Sequence, residues 1–156
     1  MPILLCDLDD TLVDSAGAFR QWATAFAAAH DQDDGLLSWL FGWEEQVKGY
    51  GASRDLFEAL DLRIGPTASV DELIDEYYGQ LIPLLRCEDA VARSLVRVRE
   101  SGWSVAIVTN GGSRQDEKIR GTGLDRLVDT WCVSEIEGSA SFADAVEIVL
   151  NNANVD

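Results

Sequence analysis

Ile3-Leu4-Leu5-Cys6-Asp7-Leu8-Asp9-Asp10-Thr11 is the stretch that decides the fold. An apolar run that ends abruptly in carboxylates reads as a strand buried in a parallel sheet. The carboxyl end of such a strand is where open α/β sheets gather ligands. Asp7 and Asp9 stand two apart, and Thr11 follows two further on. Carboxylates crowded at one strand end repel each other unless a cation shares the site. A hard divalent ion with oxygen ligands suits them, and Mg²⁺ is the common one beside phosphate groups.

Outward from this strand, the pattern changes period. Phe19, Trp22, Ala23 and Phe26 recur at three-to-four spacing within residues 15 to 30, which predicts an amphipathic helix. Residues 36–48 and 53–60 read as further helices around Gly49-Tyr50-Gly51. Ser69 to Leu85 reads as another, with Ser69 and Glu72 spaced as a capping box. A helix over 88–101 closes at Gly102, in the position that favours a left-handed residue. Trp103 to Val108 is a second strand, ending in Thr109-Asn110-Gly111-Gly112. A helix over 113–121, a third strand over 127–133 and a helix over 142–152 complete the chain. Strands alternating with helices predict an α/β fold with a parallel sheet and crossover connections.

Bulk composition narrows the partners. The 156 residues suit one compact core with a small insert. There are 28 acidic residues against 12 basic ones, a formal net charge of −16. A field of that sign argues against nucleic acid and anionic membrane as partners. It also means that any phosphate site must be offset locally, and the chain has only two lysines, Lys48 and Lys118. Three cysteines without metal-ligand spacing read as buried free thiols in a reducing, cytoplasmic setting. No signal peptide or membrane-length apolar stretch is visible in the sequence.

Two strand-end motifs, Asp7-Leu8-Asp9-Asp10-Thr11 and Thr109-Asn110-Gly111, together resemble the haloacid dehalogenase (HAD) superfamily of hydrolases in its phosphatase branch. The spacing of Gln115, Lys118, Gly123-Leu124, Val128-Asp129 and Val133-Ser134-Glu135 is similar to that family as well. The resemblance covers residues 2 to about 138. It implies a HAD-like Rossmannoid sheet from residues 1–14 and 86–156, with residues 15–85 inserted as a helical cap.

The resemblance also implies chemistry. Asp7 matches the nucleophile that forms an aspartyl-phosphate. Asp9 matches the general acid/base. Mg²⁺ is implied at the Asp7 side chain and the Asp9 main-chain carbonyl. Thr109 matches the hydroxyl that holds the phosphoryl group, assisted by N–H groups near Asn110 and Gly111. An acid at position 9 argues against the dehalogenase branch. The implied substrate is a small phosphorylated metabolite, hydrolysed under a cap that excludes water.

The later family motifs do not match. The segment Glu137 to Asp144 has no lysine, arginine or proline where a lysine is expected, and the sequence ends at Asp156 before a further strand ending in Gly-Asp. On the family pattern the sheet is therefore C-terminally truncated. Lys118 and Arg114 follow the second motif and are candidates for the missing cation, although Lys118 aligns with a helix position of the family rather than with the third-motif lysine. Glu135 and Asp144 are the acids nearest to completing a metal site. The absent strand lies beside the first one in the family's sheet order. An apolar edge left unpaired there invites a second chain, so a homodimer through the first strand is expected unless residues 139–156 cover the edge. The alternative function is a catalytically impaired protein or fragment that binds phosphate or a partner. Response-regulator-like phosphoacceptance also uses clustered Asp and Mg²⁺ but needs no helical insert.

Among the remaining residues, Trp22, Trp39, Phe41 and Trp43 are expected in the core of the insert. His30 is expected at a helix C-terminus, where the dipole favours it. Lys48 and the acidic stretch Asp31–Asp34 are expected in solvent.

Overall fold

A computed structural model describes residues 2–30, 34–47, 53–65, 69–135 and 142–153. Backbone contacts divide the chain into two units, residues 1–14 with 85–156, and residues 15–84.

The first unit is the α/β one. Its sheet has three parallel strands in the order β1-β2-β3: β1 (Ile3–Cys6), β2 (Ser104–Thr109) and β3 (Thr130–Val133). Cys6 pairs with Ile107, and Thr109 with Val133. All three strands therefore end on the same side. β2 is central, and Val105 through Thr109 are buried. Side chains alternate faces along a strand. Ala106 and Val108 pack with Cys132, Val149, Val146 and Ile148, so helix α7 (Phe142–Ala153) covers one face. Val105, Ile107 and Thr109 point to the other, where α5 (Asp89–Glu100) packs on β2 and α6 (Ser113–Gly121) on β3. Gly102 has φ +86° and ends α5 as expected.

The third strand is shorter than the sequence predicts. Leu124–Arg126 form a 3₁₀ turn, and β3 begins only at Thr130. Asp129 explains the difference. Its N–H donates to Val105 O (2.8 Å), and its carboxylate accepts from Val105 N (2.9 Å) and from Arg99 (2.7 Å). Residues 127–129 look strand-like because Val128 is buried, yet they form the clamp that starts the strand.

β1 is the outer strand of the sheet, and among the described residues no strand pairs with its far edge. Its four residues are half-buried rather than buried. Cys6 is accordingly only partly covered, while Cys132 is buried. α7 packs over a face of the sheet, reaching Ile3 and Leu5.

The second unit holds α1 (Ser15–Ala29), α2 (Asp34–Val47), α3 (Arg54–Ile64), α4 (Val70–Leu81) and a 3₁₀ turn over Ile82–Leu84. Its core is aromatic. Trp22 and Tyr77 meet edge to face at 4.7 Å, and Phe57 lies 5.1 Å from Tyr77. The capping box closes as its spacing predicts: Glu72 N donates to Ser69 Oγ (3.2 Å), and Ser69 N donates to Glu72 Oε2 (2.9 Å). His30 follows the last turn of α1, and its ring Nδ1 donates to Phe26 O (2.9 Å). Trp22 is buried, whereas Trp39, Phe41 and Trp43 are half-buried; Arg63 lies over Trp39 and Arg20 over Phe41. Asp34 opens α2 instead of continuing the acidic loop. Gly49-Tyr50-Gly51, Lys48 and the segment 136–141 lie outside the described residues.

Candidate active site

The site is built where the three parallel strands end. After β1 the chain turns sharply over residues 8–13. Leu12 N and Val13 N both donate to Leu8 O (2.9 and 3.2 Å), and Asp10 N donates to Val13 O (2.8 Å). Asp10 sits at φ +55°, the left-handed region that Asp tolerates better than most residues. Leu8, Leu12 and Val13 are buried and anchor the turn. Asp7 and Asp9 flank Leu8; Asp7 is exposed and Asp9 half-buried. Burial pushes the neighbouring Cys6 thiol up from its ordinary range, which argues against a thiolate nucleophile here.

After β2 a second turn carries Thr109, Asn110 and Gly111. Thr109 is 2% exposed. Asn110 is exposed. Gly111 has φ +125°, and a Cβ there would lie 3.0 Å from Gln115 Cγ. Only glycine fits that backbone at that approach. β3 is tied to the same turn: Ser134 N donates to Thr109 O (3.0 Å), Glu135 N to Gly111 O (3.2 Å), and Gly111 N to Ser134 Oγ (3.3 Å). The Gly111 N–H, a sequence candidate for holding phosphate, is thus directed at Ser134.

Helix α6 joins the two turns. Gln115 Nε2 donates to Asp9 Oδ2 (2.7 Å) and to Thr109 Oγ1 (2.9 Å). Lys118 Nζ donates to Asp9 Oδ1 (2.8 Å). As an acceptor in this bond, the Thr109 hydroxyl keeps its own proton for donation. Both oxygens of Asp9 accept hydrogen bonds. Gln115 and Lys118 are 7% and 8% exposed. The sequence offers Lys118 as a candidate for the missing cation and gives Gln115 no role at the site. The signal was available, however. In Ser113–Gly121 the apolar residue Ile119 must face inward, and a helix places residues three and four apart on one side. Gln115, four residues before Ile119, and Lys118, three residues after Gln115, are carried inward on that side. Arg114, the other nearby cation, pairs with Glu117 at 3.0 Å instead.

The donor set for a divalent ion is small. Asp7 offers an exposed carboxylate, while the Asp9 carboxylate is engaged by Lys118 and Gln115. Glu135 lies against the second turn, its Oε2 3.1 Å from the Cβ position of Gly112. Among the described residues no cluster of three His, Cys, Asp or Glu side chains is placed to hold a metal, so Glu135 and Asp144 do not complete one with the strand-end carboxylates. These hard oxygen donors suit Mg²⁺, which keeps several waters and binds through one or two carboxylates together with substrate phosphate.

Against known proteins the chain gives a consistent picture. No protein-family model matches it. The glyceraldehyde 3-phosphate phosphatases of Pyrococcus abyssi and Pyrococcus furiosus are each 28% identical to it over 145 residues, 87% of this chain and 60% of each relative. The chain thus spans about three-fifths of the length of these curated relatives. Among solved structures, the Bacillus subtilis protein YfnB, described as a HAD-hydrolase and bound to magnesium, superposes with a TM-score of 0.63 at 23% identity, over 93% of this chain and 70% of that one. A haloacid dehalogenase-like hydrolase from Streptococcus pneumoniae gives 0.60 at 16% identity, over 98% and 70%. The fold of the chain is thus similar to that of haloacid dehalogenase-like hydrolases.

Proposed function

We propose that this chain is a Mg²⁺-dependent phosphatase acting on a small phosphate ester. The observation that carries the reading is the convergence of Asp7, Asp9 and Thr109 at one end of the parallel sheet, with a lysine ammonium and an amide beside them. The curated relatives add the substrate class, a small sugar phosphate of the glyceraldehyde 3-phosphate kind.

In this reading an Asp7 carboxylate oxygen attacks phosphorus. A P–O bond forms to Asp7 and the ester P–O bond breaks, giving an aspartyl-phosphate and an alcohol. Asp9 gives a proton to the leaving alkoxide. It then takes one from the water that attacks phosphorus and frees Asp7. The Thr109 hydroxyl donates to a phosphoryl oxygen. Asp7 and the Asp9 main-chain carbonyl would hold Mg²⁺, which neutralises charge between nucleophile and phosphate when bound. The insertion of residues 15–84 directly after this turn supports a cap role that sets substrate choice. The unpaired edge of β1 supports self-association through that strand, and a strictly monomeric mass by light scattering well above micromolar concentration would contradict it.

The test is phosphate release from p-nitrophenyl phosphate and from glyceraldehyde 3-phosphate, with Mg²⁺ or with a chelator, comparing the native chain with Asp7→Asn. Release that needs Mg²⁺ and falls to the uncatalysed rate in Asp7→Asn is expected. Equal release by both proteins, or none by the native chain, overturns the reading in favour of a phosphate-binding or interaction module.

A further inference from the structure

The buried polar side chains among the described residues are Thr109, Gln115, Lys118 and Ser134, and all four lie at the carboxyl ends of β2 and β3 or on α6. One of them is charged. Burying an ammonium is unfavourable unless a partner and hydrogen bonds compensate, and for stability alone an apolar pair serves as well. Lys118 is 8% exposed and meets Asp9 at 2.8 Å, while Asp9 keeps 26% of its side chain open to solvent. Gln115 takes the other Asp9 oxygen and bridges it to Thr109. The carboxylate is thus gripped at both oxygens by one helix, and that helix is braced against β2.

We propose that Lys118 and Gln115 are positioning residues for the proton transfers of Asp9, so that α6 supplies the cation this site needs. The proposal rests on the phosphatase reading above. It separates two jobs a lysine can do beside a phosphate. An ammonium engaged with Asp9 orients the acid and leaves substrate binding nearly unchanged. An ammonium that held the phosphoryl group would set affinity instead. The positioning role has a further signature. A poor leaving group needs the proton from Asp9, whereas a nitrophenolate departs with little help, and well-placed general acids contribute about 10²–10⁴-fold.

The experiment measures kcat and KM of the native chain, Lys118→Met, Lys118→Arg and Gln115→Ala, with Asp7→Asn as the background. Each protein is given p-nitrophenyl phosphate and an alkyl ester, glycerol phosphate. Lys118→Met is expected to lose kcat on the alkyl ester by at least about tenfold more than on the aryl ester. KM and inhibition by inorganic phosphate should stay within about threefold, and Lys118→Arg should recover part of kcat. If Lys118→Met does not fold, as read by circular dichroism, Gln115→Ala carries the same comparison. Equal losses on both esters, a change confined to KM, or no loss at all overturns the proposal while Asp7-dependent hydrolysis stands. Absence of Asp7-dependent hydrolysis in the native chain overturns the phosphatase reading and this proposal with it.

Discussion

In the helical unit, Phe19, Trp22, Phe26, Phe57 and Tyr77 fill the interior, and the indole N–H of Trp22 is buried without a hydrogen-bond partner. Its ion pairs, such as Arg54 with Asp71, lie in solvent. At the strand ends of the α/β unit the economy is reversed. Thr109, Gln115, Lys118 and Ser134 are buried there, and each is hydrogen-bonded. One region gains its stability from apolar and aromatic contact and leaves polar groups outside. The other brings polar groups in and connects them, which favours a specific arrangement more than it favours stability. On the proposed phosphatase reading, the second region carries the chemistry and the first the shape.

The largest expected effect strikes the aromatic region. Trp22→Ala removes a fully buried ring that touches Phe19, Phe26 and Tyr77. It should destabilise the helical unit by about 3–5 kcal/mol in urea unfolding. A loss below about 1 kcal/mol would break the comparison, because the ring would then not be core.

Next comes the polar region. Gly111→Ala places a Cβ 3.0 Å from Gln115 Cγ at φ +125°. The strain should cost about 1–3 kcal/mol and displace the side chain that bridges Asp9 to Thr109. Activity should fall further than the stability change accounts for. Unchanged kcat in a destabilised protein would show that the bridge does not matter to turnover.

Ser69→Ala removes the hydroxyl of the capping box on α4. About 1 kcal/mol of stability should be lost, seen in thermal unfolding, with kcat intact. A change in kcat here would blur the division between the two regions.

The smallest effect is a pH dependence. Asp116 accepts from Arg120 (2.7 Å) and from Trp131 Nε1 (2.9 Å), and chiefly the Arg120 bond holds its carboxyl below the usual range. A depressed folded value stabilises above the unfolded value and is lost as pH falls through the folded one. Asp116→Asn should therefore be slightly less stable than the native chain near neutrality. The gap should close as pH falls below about 4. A gap that persists at low pH would assign it to packing.

Much of this architecture was readable beforehand. The bounds of α6, the capping box at Ser69 and the carboxylate-bearing end of β1 follow from period, spacing and residue type. The start of β3 did not, because Asp129 uses its side chain to mimic a strand partner of Val105, and apolar pattern is blind to that. Lys118 was legible only in part. A charged residue on a short, polar helix reads as surface, and its burial follows from Ile119 fixing the inward face and from Asp9 waiting across the turn. Spacing places a residue on a face, while the partner across space decides whether a charge is tolerated there.

The central claim is that Asp7 is the group phosphorylated during turnover. Quenching the native chain in mid-turnover with borohydride reduces an acyl phosphate to an alcohol, and mass spectrometry of the peptide that carries Asp7 reads the change. The account predicts reduction at residue 7 that requires both Mg²⁺ and phosphate ester. Hydrolysis that proceeds with no modification at Asp7, or that persists in Asp7→Asn, would contradict it.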